Sequence, residues 1–169
     1  MNGHRWLAGL AGLAGCLILT GCGASPPTQQ EHDDTVLDHL ADAPCTMMSV
    51  ERGQRLGLEQ LSPDPAPART CGWHNDSQPS PYLLTFVANP SASDRQEYTR
   101  EAKLTKITVE NQPVTQATRA IANLTDCASL ADFGTDHGFI VSVTEADASD
   151  ACVLSAAYAK STILLIRES

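Results

Sequence analysis

The chemistry open to this chain resides in six cysteines, five histidines and one closely spaced acid pair, Asp147 and Asp150. Cys22 stands apart from the other thiols because Leu19-Thr20-Gly21 precedes it. A small residue before the cut and a cysteine after it is the pattern read by bacterial lipoprotein processing. The thiol takes a diacylglyceryl group, the leader is removed, and Cys22 becomes the first residue. Cys16 leaves with that leader, so four thiols remain: Cys45, Cys71, Cys127 and Cys152. In an oxidising compartment an even set of four reads as two disulfides, with three connectivities open. The sequential pairing, Cys45 with Cys71 and Cys127 with Cys152, closes two loops of nearly equal length and is the preferred one. Each such loop contributes about 3–4 kcal/mol in the chain-entropy account. Zinc ligation is the rival use of four thiols, but no Cys-x-x-Cys is present and the spacing is too dispersed for paired ligands.

The histidines of the exported chain, His32, His39, His74 and His137, fall in no zinc, triad or acid/base signature. There is no Gly-x-Ser-x-Gly, no phosphate-cradling glycine loop and no His-Glu-x-x-His. His74 follows Trp73 beside Cys71, but a tryptophan next to a disulfide is usually packing. His137 lies in an Asp136-His137-Gly138 turn, where a solvated role is expected. Asp147 and Asp150 read as helix-capping acids, since no calcium-type loop accompanies them. Asn75-Asp76-Ser77 and Asn123-Leu124-Thr125 match a glycosylation acceptor pattern that means little in a bacterial lipoprotein. No catalytic residue, metal ligand or cofactor is expected.

The segments that must deliver these residues begin with the leader. His4 and Arg5 form a short basic region, followed by an apolar run over residues 6–19. That run is shorter than the roughly 20 residues a membrane-spanning helix needs, and it suits a signal-peptide core. An ordinary secretory signal and an uncleaved anchor are the competing readings, and both still export the chain. Residues 1–21 are therefore expected to be the leader, 22–33 the lipidated cysteine and a flexible tether, and 34–169 one domain large enough for a real core. Without the leader the chain carries ten basic against twenty acidic residues, a formal charge of −10. That balance repels phosphate backbones and anionic head groups, so nucleic acid is not an expected partner.

Helix and strand patterns intermix along the domain. Residues 34–40 open a short helix, and Ser49 caps a second one that runs out at Gly57. Pro63, Pro65 and Pro67 force residues 62–68 into an extended loop. Residues 70–74 and 82–88 read as a hairpin across a turn holding Asn75, Asp76, Ser77, Pro79 and Pro81. A helix is expected over 91–103, with Tyr98, Ala102 and Leu104 inward. Ile107 and Val109 alternate with polar residues until Asn111-Gln112-Pro113 breaks the run. Strands are expected at 114–120 and 124–133, with a turn over 134–138. Phe139, Val141 and Val143 then mark a half-buried strand. Asp147 starts the last helix, whose inward face is Cys152, Ala156, Ala159, Ile163 and Ile166. The β-branched end of that segment, residues 162–166, is also compatible with a strand.

Several of these segments together resemble a known family. Ala43-Pro44-Cys45-Thr46-Met47-Met48, Leu56-Gly57-Leu58, Cys71-Gly72-Trp73, Asp126-Cys127 and Ala151-Cys152, with Ala156, Ala157 and Ala159, look like the actinobacterial envelope lipoproteins classed only as a domain of unknown function. The resemblance covers nearly the whole exported domain and rests on the order and context of the four cysteines. It implies the sequential disulfides and an α+β fold, a mostly antiparallel sheet with helices packed on it. Met47-Met48 stands where the family usually has aliphatic residues, a change an adaptable side chain tolerates. The family brings no established activity.

Residues and resemblance together point to a non-catalytic binding or interaction module on the extracytoplasmic face of the cell membrane. Its partners would be the membrane, through lipid on Cys22, and a small lipophilic ligand or an envelope protein. A deep apolar pocket would mark a ligand carrier; a flat apolar patch would mark a protein partner. The alternative is an envelope hydrolase with a non-contiguous active site, which requires His74 or His137 beside a nucleophile or acid in a cleft.

Overall fold

A computed structural model describes residues 28–61, 68–75, 82–134 and 136–169. The leader, Cys22, the proline-rich stretch over 62–67 and the turn over 76–81 lie outside the described residues.

The first helix, α1 (Gln29–Asp42), starts earlier than the sequence suggested. Thr28 and Glu31 form a reciprocal capping box, and the Gln29 amide donates to Asp33 at 2.7 Å. Residues 29–33 therefore belong to the folded domain and not to the tether. Their polarity concealed this, because the helix buries only Asp33, Leu37 and Leu40. A 3-10 turn, Pro44–Met47, follows, then the short α2 (Val50–Arg55), capped by Ser49 as expected. Gly57 at φ 66° turns the chain into strand β1 (Glu59–Leu61). β2 (Thr70–Asn75) and β3 (Tyr82–Ala88) form the expected antiparallel hairpin.

Helix α3 (Ala92–Thr99) has 8 residues and ends four short of the predicted boundary at 103. Glu101 adopts φ 61°, and the β-branched Thr105, Ile107 and Val109 draw the chain into strand β4 (Lys103–Val109). Lys103 and Leu104 are thus strand residues, and Leu104 is 54% exposed rather than inward. The next break falls at Glu110 and Asn111, both at positive φ, one position before the predicted one. Gln112 and Pro113 already belong to β5 (Gln112–Ile121). Pro113 is tolerated because β5 pairs with β6 (Leu124–Asp132) only from Val114 onward, so no ladder donor is lost on that side.

β7 (Gly138–Glu145) closes a seven-stranded, wholly antiparallel sheet of order β1-β2-β3-β7-β6-β5-β4. It sits between β3 and β6 and is buried on both faces, not half-buried, since Ile140 and Ser142 are covered as fully as Phe139 and Val141. Gly138 is obligatory there: a β-carbon would lie 2.4 Å from the Ala131 carbonyl oxygen.

The 21-residue α4 (Ala148–Glu168) and α1 pack on one face of the sheet around Phe86, Phe139, Val141, Val143, Ile163 and Ile166. Each fully buried aliphatic or aromatic side chain contributes about 1.5–3 kcal/mol. The end of α4 stays helical because Thr162, Ile163 and Ile166 are buried on the sheet, which overrides their β-propensity. α4 has the length and hydropathy to cross a membrane, yet that same apolar face is its contact with the sheet. Inside the contact, Ser155 donates to Ser129 at 2.7 Å, so this buried hydroxyl is satisfied. The opposite face carries a smaller core, Val87, Ala117, Ala128, Leu130 and Ile140, with Tyr98 and Ala102 packed against it.

Candidate functional site

The four cysteines join as Cys45–Cys71 and Cys127–Cys152, each with Cα atoms 5.1 Å apart. The first bridge ties the 3-10 turn to β2, and the second ties the start of α4 to β6. Trp73, only 3% exposed, packs in the core beside the first bridge. Among the described residues no three His, Cys, Asp or Glu side chains converge as a metal site.

Two of the histidines lie against acids of other elements. His74 Nε2 lies 3.6 Å from Glu59, its cross-strand neighbour on β1. The His137 ring nitrogens lie 3.3 Å from Asp34 and 3.3 Å from Asp38, both on α1. Asp38 also accepts from Asn89 at 2.9 Å, while Asn89 accepts from the Gly138 amide at 3.2 Å. This network pins α1 to the β6–β7 turn, so His137 is not the free turn residue its sequence context suggested. Asp147 caps α4 by accepting from the Ser149 hydroxyl at 2.7 Å and the Ser149 amide at 2.8 Å, and those bonds, the hydroxyl's first, hold its carboxyl below the usual range. Asp150 contributes its backbone amide to that cap and stands as the acid of the first turn.

Among the described residues several open clefts line the surface, and two of them bear on the candidate site. The smaller, about 290 Å³, lies between α2 and the β1–β2 edge, with Met48, Val50, Leu58, Gln60 and Trp73 among its walls. The larger, about 550 Å³, is lined by Arg100, Glu101, Arg119, Ala120 and Ile121. Beside it stands a polar cluster that sequence patterning did not reveal, because its members are scattered over four elements. Asp126, buried on the α3 side, pairs with Arg119 at 2.8 Å and accepts from Ser142 and, at 3.1 Å, Thr144. The Arg119 guanidinium also donates to the Glu97 carbonyl at 2.8 Å and lies 5.5 Å from the centre of the Tyr98 ring. Burial, reinforced by Asp126, pushes the Tyr98 phenol up to about 12. Arg119 is thereby fixed in one orientation at the cleft wall.

Register places these features relative to Thr28. The Gln30 side chain donates to the Phe133 carbonyl, so Thr28 lies at the β6–β7 turn end of the sheet. Ile121, Leu124, the start of β4 and the start of β3 lie at the other end, about 30 Å away along β5. At that distal end Leu83, Leu104, Ile121 and Leu124 are exposed, and strand parity puts all four on the α3 side of the sheet.

These features define an α+β domain with two disulfides, built around one antiparallel sheet and furnished with surface clefts. The chain belongs to the family described as protein of unknown function DUF3558, whose model matches residues 17–164. No curated protein and no solved structure matches it.

Proposed function

We propose that this chain is a lipid-anchored, extracytoplasmic interaction module that binds another envelope protein and performs no catalysis. The observation that carries the reading is that Leu83, Leu104, Ile121 and Leu124 are all exposed on one face of the sheet, toward the end farthest from Thr28. An anchor at Cys22 leaves that end pointing away from the bilayer, where apolar side chains meet proteins rather than lipid. Support for the anchor comes from Leu19-Thr20-Gly21-Cys22, and support for export from two disulfides, which persist in oxidising compartments. Both clefts are open to the surface, which favours a protein or peptide over an enclosed lipid.

The test places a photo-crosslinking residue at Leu124, and separately at Glu31 beside the tether, in cells making the lipoprotein. A protein adduct of discrete mass from Leu124, absent from Glu31 and lost with Cys22→Ala, is the expected result. Lipid adducts at Leu124, or adducts indifferent to Cys22, contradict the reading.

A further inference from the structure

The two edges of the sheet are unequal. β1 has three residues, the short kind of edge that resists pairing. β4 has seven residues and pairs with β5 without interruption from Lys103↔Thr118 to Val109↔Gln112. It contains no proline or bulge, and among the described residues its other side has no strand neighbour. Its first four residues are exposed. A long, regular, unpaired edge is a template for an added strand.

Charge selects the occupant. The chain carries −9 overall, yet residues 100–109 hold Arg100, Lys103 and Lys106 against one acid, Glu101. Among the described residues none of those three cations has an ion-pair partner, whereas Lys160 is paired with Glu110 and Arg119 with Asp126. Parity places Lys103 on the α4 side of the sheet and Leu104 and Lys106 on the other. A second copy pairing edge to edge with β4 would bring lysines near lysines, so symmetric self-association is disfavoured.

We propose that β4 accepts, as an eighth strand, an extended acidic segment of another envelope protein. Opposite Lys103, Leu104 and Lys106 that segment would carry an acid, an apolar residue and a second acid, with the acids three positions apart and so on opposite faces. Backbone hydrogen bonds would give affinity, and the charges would set register. The inference deepens the reading of the chain as a protein-binding module and rests on it.

The probe is a capped octapeptide with two glutamates three positions apart and a valine one position from one of them. It is titrated into the full, detergent-solubilised lipoprotein while amide hydrogen exchange is followed. The expected result is saturable binding that slows exchange along β4, weakens about tenfold in the Lys103→Glu/Lys106→Glu variant, and fails for a peptide with lysine in place of glutamate. The variant changes two exposed, unpaired side chains and leaves the core intact, and its melting temperature verifies that. No binding, or binding indifferent to the charge reversal, overturns the proposal, as does a dimer in sedimentation that the reversal dissolves. Crosslinking from Leu124 that persists while β4 stays unprotected retains the interaction module but refutes this edge as its site.

Discussion

Glu145 is the residue whose chemistry conflicts most with its surroundings. Its side chain is 2% exposed at the end of β7, and Oε1 has no hydrogen-bond partner among the described residues. Burial raises its pKa above the usual carboxylate value, and the nearby charges of Asp150 and Asp147 add to the effect. The folded state therefore holds this proton more tightly than the unfolded chain does. Stability tied to Glu145 is present at acid pH and is lost as pH rises from about 4.5 through the raised folded value. Glu145→Gln removes the ionisation, so its advantage should be near zero at pH 4 and reach about 1 kcal/mol, or about 2–4 °C in melting temperature, at neutral pH. A variant that melts below the parent at neutral pH contradicts this. None of it was legible in the sequence, where Val143-Thr144-Glu145 reads as a strand running out into polar turn. The cysteines were legible, because a bridge depends on residue type and order, whereas the Asp126–Arg119–Tyr98 cluster depends on register between strands.

Elements with their own periodicity could be read directly: the β2–β3 hairpin, β6, β7 and α4. The misread boundaries all lie where polar residues conceal a local signal. α1 looked like tether because Gln29 to Asp34 are polar throughout, yet the Thr28/Glu31 box fixes its first turn and Gln30 reaches the Phe133 carbonyl. A capping box is worth about 1 kcal/mol. A protein whose mature sequence starts at residue 34 should therefore melt about 3 °C or more below one starting at residue 28, by calorimetry with both disulfides intact. Equal melting temperatures would mean that the first turn of α1 adds nothing. α3 was overextended for the converse reason: Arg100 to Lys103 favours helix by composition, while the pairing of β4 with β5 and the positive φ of Glu101 end it.

At the scale of the molecule, the fold puts Thr28 and the exposed apolar end at opposite ends of the sheet. Thr28 lies six residues beyond Cys22, and an extended chain of that length reaches about 20 Å. The domain would then be held close to the bilayer by its β6–β7 turn end, with the Arg119 cleft and the start of β4 directed outward. Both disulfides fasten helical segments to strands, Cys45 to β2 and Cys152 to β6, so the presented surface is rigid. A rigid surface loses less entropy on binding a partner. The antiparallel sheet with covering helices followed from the resemblance and the strand pattern. The polarity of the domain did not, because it emerges only when strand order and register are known.

Anchoring at Cys22 decides between this account and every other. The most direct measurement is intact mass spectrometry of the protein extracted from membranes of its producing cells, before and after reduction. The account predicts a chain starting at Cys22, heavier by a diacylglyceryl group, that gains four hydrogens on reduction of its two disulfides. A chain starting at any other residue, or one without lipid, contradicts it.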